Sequence, residues 1–199
     1  MPTYTGSQRW LTQPEVQTEV SNVDENYLNS EFQENFFLGI KIPRKNFSGN
    51  KNINRAIESA LFGSLSNGGQ TCISTEELYV EDKIYEDFVS RISKKIKKIK
   101  SGKNGDYSTM IISDNAKKVN RHIDDSRKSC KIIQGESDDV NLFIPPTLVL
   151  EPDEDSLIVN EETFGPVLSI RKFSSEKDLV KKIHKTGYGL SSSIFGRDK

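Results

Sequence analysis

The chain has 199 residues, with 28 basic and 29 acidic side chains and a formal charge of −1. This length suits one globular domain, and the near balance of charge gives no reason to predict a nucleic-acid or strongly charged partner. The sequence has no apolar run long enough to cross a bilayer and no signal-peptide pattern, so we expect no membrane association and a cytoplasmic protein whose two cysteines stay reduced.

The chain divides into a polar, acidic start, residues 1–36, and a remainder in which helical and strand patterns alternate. We predict an irregular N-terminal arm for the first part. Apolar residues recur at three- and four-residue steps over Ile53–Leu65, which predicts a helix, and Leu78–Val80 is typical of a short buried strand. Cys72 therefore falls in a helix-to-strand loop. It follows Gly68-Gly69, where the backbone can turn sharply and approach a ligand closely.

The same patterns continue to the end of the chain. We predict amphipathic helices over Lys83–Lys100, from Ser113 or Asp114 onward, and from Ser175 onward. The predicted strands are Lys131–Ile133, an interrupted strand over residues 142–150, Val167–Ile170 and Leu190–Phe195. Alternating helices and strands of these lengths predict a three-layer αβα domain, of the α/β class, with a largely parallel sheet over residues 37–199.

Two motifs resemble a known family. Asn67–Cys72, with the sequence NGGQTC, is similar to the active-site cysteine segment of the NAD(P)-dependent aldehyde dehydrogenases. Glu161–Val167, with the sequence EETFGPV, is similar to a second signature of that family, and Tyr188–Ser191 follows it as expected. Tyr4–Ser7 resembles a loop that touches the cofactor in family members. The order and spacing of these segments also agree with the family.

The resemblance implies a site for NAD or NADP and a small-molecule aldehyde. Cys72 would be the nucleophile, and its backbone N–H would donate to the oxyanion. Glu162 would accept hydrogen bonds from the nicotinamide ribose hydroxyls, and Phe164 would pack near the nicotinamide ring. Gly6 and Ser7 would belong to the cofactor loop. No Cys/His spacing resembles a metal site.

The sequence departs from the family at the position of the general base. Phe37 stands where family members carry the glutamate that activates water, and a phenyl ring cannot accept a proton. Glu34, three residues upstream, is expected to be a solvated charge. The resemblance covers Leu38–Lys199, about two thirds of the catalytic domain, so we expect the nucleotide-binding domain and the closing strand to lie outside these residues. We therefore expect the family reaction to be impaired in the isolated chain.

Three functional hypotheses remain open. The first is an aldehyde dehydrogenase catalytic domain completed by a partner subunit or by homo-oligomerisation. The second is a catalytically inactive homologue or remnant that acts as a protein-interaction module. The third is a cofactor-independent thiol esterase, against which Phe37 argues. Without the motifs, Cys72 would be a buried inert thiol, and the histidines His122 and His184 would be surface or half-buried helix residues.

Overall fold

A computed structural model describes residues 37–40, 50–107, 109–138, 142–184, 190 and 192–195, with the backbone alone for 37–40 and 50–52. The predictions for residues 1–36, including Gly6, Ser7 and Glu34, lie outside this range. No helix in the described part of the chain combines the length and apolarity needed to span a bilayer.

Helices and strands alternate along the described residues, as predicted. The strands are β1 (Phe37–Ile40), β2 (Glu77–Glu81), β3 (Lys100–Ser101), β4 (Lys131–Gln134), β5 (Glu136–Ser137), β6 (Thr147–Leu150), β7 (Val167–Phe173) and β8 (Ser192–Phe195). The helices are α1 (Asn50–Leu65), α2 (Asp82–Ile96), α3 (Ser113–Ser126), α4 (Leu157–Asn160) and α5 (Glu176–Ile183). A short 3₁₀ turn, Ser66–Gly69, follows α1 directly.

Six strands form one sheet in the order β4-β6-β7-β2-β1-β8. Every neighbouring pair is parallel except β4 and β6, which run antiparallel. β2 lies in the interior, with Leu78 opposite Leu38 on one side and Ile170 on the other. β3 and β5 form a separate two-stranded parallel ladder. The predicted largely parallel sheet is therefore confirmed.

Helices cover both faces of the sheet. Successive side chains of a strand point to opposite faces, so β2 contributes to two different cores. Leu78 and Val80 pack with α1 and α2, whereas Tyr79 packs with Phe173 and α5. α3 and α4 cover the same face as Tyr79, around Val149. This arrangement confirms the predicted three-layer αβα architecture, which buries a parallel sheet on both sides.

Several element boundaries differ from the predictions; β7, for example, runs to Phe173 rather than ending at Ile170. The helix predicted to reach Lys100 ends at Ile96, because Lys100 and Ser101 pair with β5 instead. The interrupted strand begins only at Thr147, after the Pro145-Pro146 pair, and a proline has no N–H to give to a ladder. The last strand begins at Ser192 rather than at Leu190.

A buried polar cluster lies on the β2–β7 face. The Tyr79 hydroxyl donates to Glu77 Oε2 at 2.7 Å, and Arg171 Nη1 donates to the Tyr79 oxygen at 3.3 Å. Arg171 also forms ion pairs with Glu77 at 3.7 Å and with Glu154 at 3.8 Å. Burial raises the pKa of Glu77, while the Tyr79 hydrogen bond and the Arg171 charge oppose that rise. The Arg171 charge therefore reduces the energetic cost of burying the Glu77 carboxylate beside the core.

Arg171→Met should lower the free energy of unfolding by about 3–5 kcal/mol, because it leaves the buried Glu77 carboxylate without its cation. Urea unfolding of the purified chain at neutral pH measures this loss. The control is Glu77→Gln combined with Arg171→Met, which removes both charges and should recover part of the stability. A double variant as unstable as Arg171→Met alone would contradict the electrostatic explanation.

Candidate active site

Three consecutive left-handed residues lie near the start of the loop that carries the cysteine. Asn67, Gly68 and Gly69 have φ angles of 53°, 65° and 71°, a region that glycine adopts freely and asparagine tolerates. These residues end α1 and reverse the chain. We call residues 66–76 the cysteine loop. The predicted position of Cys72 between a helix and a strand is confirmed.

Cys72 is exposed within the cysteine loop. Behind it, Gly63 in α1 accepts two hydrogen bonds through its carbonyl oxygen, from Thr75 N at 3.0 Å and from Ser74 Oγ at 3.2 Å. A Cβ built on Gly63 would lie 2.5 Å from Thr75 Oγ1, so this part of the loop packs closely on the helix. The thiol is therefore presented to solvent from a well-anchored loop, which differs from the inert buried thiol expected without the motif.

Gln70 fixes the front of the cysteine loop to a distant segment. Its Nε2 donates to Asn67 O at 2.9 Å and to Thr109 O at 3.3 Å, and its Oε1 accepts from Ile111 N at 2.9 Å. One amide side chain thus joins the loop to residues 109–111, which precede α3. The glutamine of the motif has a structural role that the sequence analysis did not assign.

The second motif meets the first at two glycines. Residues 161–166 of the second motif are called the 161–166 segment below. A Cβ on Gly69 would lie 2.1 Å from Gly165 O and 2.4 Å from Gly165 C, and a Cβ on Gly165 would lie 2.5 Å from Val119 Cγ2. The two backbones therefore cross at a separation that only glycine allows. Segments far apart in sequence are brought together here.

A carboxylate reinforces this crossing. Glu76, the last residue of the cysteine loop, accepts from Thr163 N at 2.9 Å through Oε2 and from Phe164 N at 2.6 Å through Oε1. Burial raises the pKa of Glu76, although these two backbone hydrogen bonds oppose the rise; the nearby charge of Glu162 adds to it. The sequence analysis assigned no role to Glu76. In the sequence, a structural role for Glu76 is indicated by its position directly before a buried strand.

Glu162 and Phe164 line one cavity with Gln70. The cavity has a volume of about 600 Å³. Its wall combines acidic, basic, amide and apolar side chains: Gln70, Ile111, Ile112, Asp114, Asn115, Lys118, Glu162 and Phe164. Cys72 is not among these lining residues, although it lies only two positions after Gln70. The structure thus unites two of the sequence-predicted cofactor residues and places the thiol on the adjoining loop.

His122 differs from its prediction as a surface or half-buried residue, because it is fully buried. Its Nδ1 lies 3.1 Å from Thr163 Oγ1 and its Nε2 lies 3.2 Å from Glu161 Oε2, so α3 also holds the 161–166 segment. Burial lowers the pKa of His122, and Glu161 only partly opposes this effect. Helical periodicity alone did not reveal that a polar segment would cover this face of α3. His184 lies exposed after α5, as expected.

Phe37 and Cys130 lie in other parts of the fold. Phe37 lies in β1, where its backbone pairs with Ser192. The described ranges contain no group of three or more His, Cys, Asp or Glu side chains arranged to hold a metal ion. Cys130, the second cysteine, is half-buried between α3 and β4 and donates from Sγ to Ser126 O at 3.1 Å.

Comparisons with known proteins agree with the two motifs. The profile of the aldehyde dehydrogenase family matches residues 48–199. The chain is 33% identical over 151 residues to succinate-semialdehyde dehydrogenase (NADP+) 2 of Schizosaccharomyces pombe, covering 72% of this chain and 31% of that protein. It is 35% identical over 152 residues to lactaldehyde dehydrogenase of Methanococcus aeolicus, covering 74% of this chain and 32% of that protein.

Solved structures show the same fold. The crystal structure of succinate-semialdehyde dehydrogenase from Burkholderia pseudomallei matches with a TM-score of 0.70 at 26% identity, over 83% of this chain and 35% of that chain. Betaine aldehyde dehydrogenase from Staphylococcus aureus, in complex with NAD+, matches with a TM-score of 0.68 at 23% identity, over 82% of this chain and 33% of that chain.

This chain belongs to the aldehyde dehydrogenase family. It spans about a third of the length of the curated relatives it matches. The resemblance noted in the two motifs is thereby confirmed, together with the predicted fold class.

Gly69→Ala should lower the free energy of unfolding by about 2–4 kcal/mol, because the new methyl group would overlap Gly165 and the residue would keep a left-handed φ. Gly68→Ala is the matched control, since Gly68 shares the left-handed backbone; it should cost about 1–2 kcal/mol. Denaturant unfolding measures both. Equal losses would contradict the assignment of Gly69 to the crossing point.

The stability of the chain should fall as the pH falls below about 6.5, by up to about 1.4 kcal/mol per pH unit from His122. The sign follows from its lowered folded-state pKa: the unfolded chain takes up a proton first, so acid favours unfolding. Thermal unfolding is measured between about pH 5 and pH 7.5, roughly the range of histidine titration. The slope of Tm against pH should be shallower for His122→Gln than for the parent chain. His184→Gln controls for the loss of a histidine, and equal slopes in the two variants would contradict the prediction.

Proposed function

We propose that this chain supplies the thiol and the nicotinamide-binding side of an NAD(P)-dependent aldehyde dehydrogenase. The observation that carries the proposal is the junction of the cysteine loop with the 161–166 segment beside one cavity. Gly69 meets Gly165 there, and Glu76 binds the amides of Thr163 and Phe164. A nucleophile next to a cofactor site is the arrangement that hydride removal from a thiol-bound substrate requires.

The proposed chemistry begins at Cys72, whose thiolate attacks the aldehyde carbon and forms a carbon–sulfur bond. The backbone N–H of Cys72 donates to the oxyanion that develops. A nicotinamide cofactor held by Glu162 and Phe164 would supply the acceptor for the hydride that leaves the thiol-bound carbon, so that a thioester would remain on the sulfur. Water then cleaves the thioester, so that the carboxylic acid leaves and the thiol is restored.

The residues around the cavity fit the nicotinamide half of the cofactor. Glu162 is exposed at the wall, and its carboxylate can accept two hydrogen bonds from a ribose diol. Lys118 lines the same cavity with a positive charge, and Phe164 and Ile112 add apolar surface against which a flat ring can pack. A volume of about 600 Å³ accommodates a ligand of that size.

Hydrolysis is the step that we expect to be slow. Family members use a glutamate at the position of Phe37, and a phenyl ring cannot take a proton from water. The isolated chain should therefore acylate at Cys72 more readily than it completes turnover. Gly6 and Ser7 remain candidates for cofactor contact, and an additional subunit or a second copy of the chain remains the proposed source of further cofactor contacts.

The alternative is an inactive homologue that acts as an interaction module. It predicts an exposed apolar patch, and Phe62, Ile73, Ile111 and Ile112 are indeed 48%, 59%, 74% and 62% exposed. Two of these, Ile111 and Ile112, line the cavity that also holds Glu162 and Phe164. Their exposure is therefore equally explained by a ligand site, and we favour the enzymatic proposal.

The first test is acylation by 4-nitrophenyl acetate, which needs neither cofactor nor aldehyde. We expect a burst of about one equivalent of nitrophenol from the purified chain, followed by slow release. Phe37→Glu should accelerate release by about 10²-fold, the lower range of general-base catalysis. NAD+ or NADP+ reduction with succinate semialdehyde, glutarate semialdehyde and lactaldehyde should be barely detectable before that substitution.

The controls separate the two thiols. Cys72→Ser should abolish the burst, whereas Cys130→Ser should retain it, because the Cys130 thiol is half-buried and burial raises its pKa. A burst that survives Cys72→Ser would overturn the assignment of the nucleophile. Rapid NAD(P)+ reduction that Cys72→Ser abolishes would support that assignment but refute the proposed role of Phe37 in slowing the reaction.

A further inference from the structure

Phe164 has a backbone conformation that aromatic residues seldom adopt. Its φ is 54°, in the left-handed region, where a side chain with a Cβ is strained by about 1–3 kcal/mol. Such strain persists only where the surrounding structure holds the residue in place. Phe164 lines the cavity together with Glu162 and Gln70. The strained residue is thus one of the candidate cofactor contacts.

Two side chains from different elements hold the peptide groups of Phe164. On the amide side, Glu76 Oε1 accepts from Phe164 N at 2.6 Å, and its second oxygen accepts from Thr163 N. On the carbonyl side, Asn115 Nδ2 in the first turn of α3 donates to Phe164 O at 3.0 Å. The N–H and the C=O of one strained residue are therefore both bound by side chains.

Each of these two side chains is itself fixed. The Glu76 carbonyl oxygen accepts from Ser169 N in β7 at 2.9 Å, and the next residue, Glu77, begins β2. Asn115 lies on a helix whose buried face packs into the core around Val149. The carboxylate and the amide therefore approach Phe164 from rigid parts of the fold, which is how a binding residue is held in a defined orientation.

We propose that Glu76 and Asn115 are positioning residues, which hold Phe164 in its left-handed conformation and thereby orient the Phe164 ring and the Glu162 carboxylate toward the nicotinamide. This inference rests on the proposed function and extends it by assigning roles to two further residues, of which Asn115 also lines the cavity. Glu76 lies on the cysteine loop, so it also fixes the distance between the nucleophile and the cofactor wall.

The test separates cofactor binding from the chemistry at sulfur. Nicotinamide mononucleotide is the probe, and its dissociation constant is measured by NMR titration of the purified chain. Glu76→Gln retains one acceptor oxygen in place of two, and Asn115→Ala removes the donor. Each should weaken binding about tenfold, the effect of losing one good hydrogen bond. The burst of Cys72 acylation needs no cofactor, so it should fall by less than the affinity for the probe.

A second measurement follows the backbone directly. Amide hydrogen exchange at Thr163 and Phe164 should become at least about tenfold faster in Glu76→Gln and in Asn115→Ala. Lys117→Ala is the matched control, since Lys117 is an exposed residue of the same helix that pairs with Asp114. It should change neither the exchange rates nor the dissociation constant.

The outcomes distinguish this inference from the proposed function. Unchanged exchange at residues 163 and 164 in both variants would overturn the holding role, whatever the chain binds. Faster exchange with an unchanged dissociation constant would overturn the positioning role while leaving the cofactor site intact. If the parent chain does not bind the probe, the proposed cofactor site fails, and a positioning role toward it fails with it.

Discussion

The structure depends on one close approach, the crossing of the Gly69 and Gly165 backbones. At this point no side chain fits between the two segments, because a Cβ on Gly69 would lie 2.1 Å from a carbonyl oxygen. The crossing brings the cysteine loop against the 161–166 segment, and the Glu76 carboxylate then pairs with two amides of that segment. Buried backbone donors that would otherwise be unsatisfied are paired there, so the geometry is stabilised as well as permitted.

The rest of the fold supports this junction. β2 begins directly after Glu76 and is an interior strand between β1 and β7. The cysteine loop therefore leads directly into a strand that is paired on both sides. α3 approaches from the other side, where Asn115 and His122 bind residues of the 161–166 segment. A site assembled from three separate elements in this way loses little conformational entropy when a ligand binds, because its side chains are already fixed.

Much of the architecture follows from local pattern. Helical periodicity predicted α1, and the short apolar runs predicted β2 and β7, because burial on both faces leaves such strands almost continuously apolar. Short elements such as β3 and β5 were not predicted, and α2 ends at Ile96 rather than near Lys100, where pairing between β3 and β5 competes with the helix. Such pairing joins residues far apart in sequence, and the periodicity of one segment carries no information about it.

By itself, the sequence predicted the fold class and a helix-to-strand loop for Cys72, because hydrophobic periodicity is a local property. The family followed from the resemblance of two motifs. The sequence also identified Glu162 and Phe164 as members of a motif. Only the tertiary structure decided how that motif is held. The left-handed φ of Phe164, the buried histidine and the two-oxygen contact of Glu76 arise where distant segments touch. Such contacts follow from packing among elements, which a linear pattern does not encode.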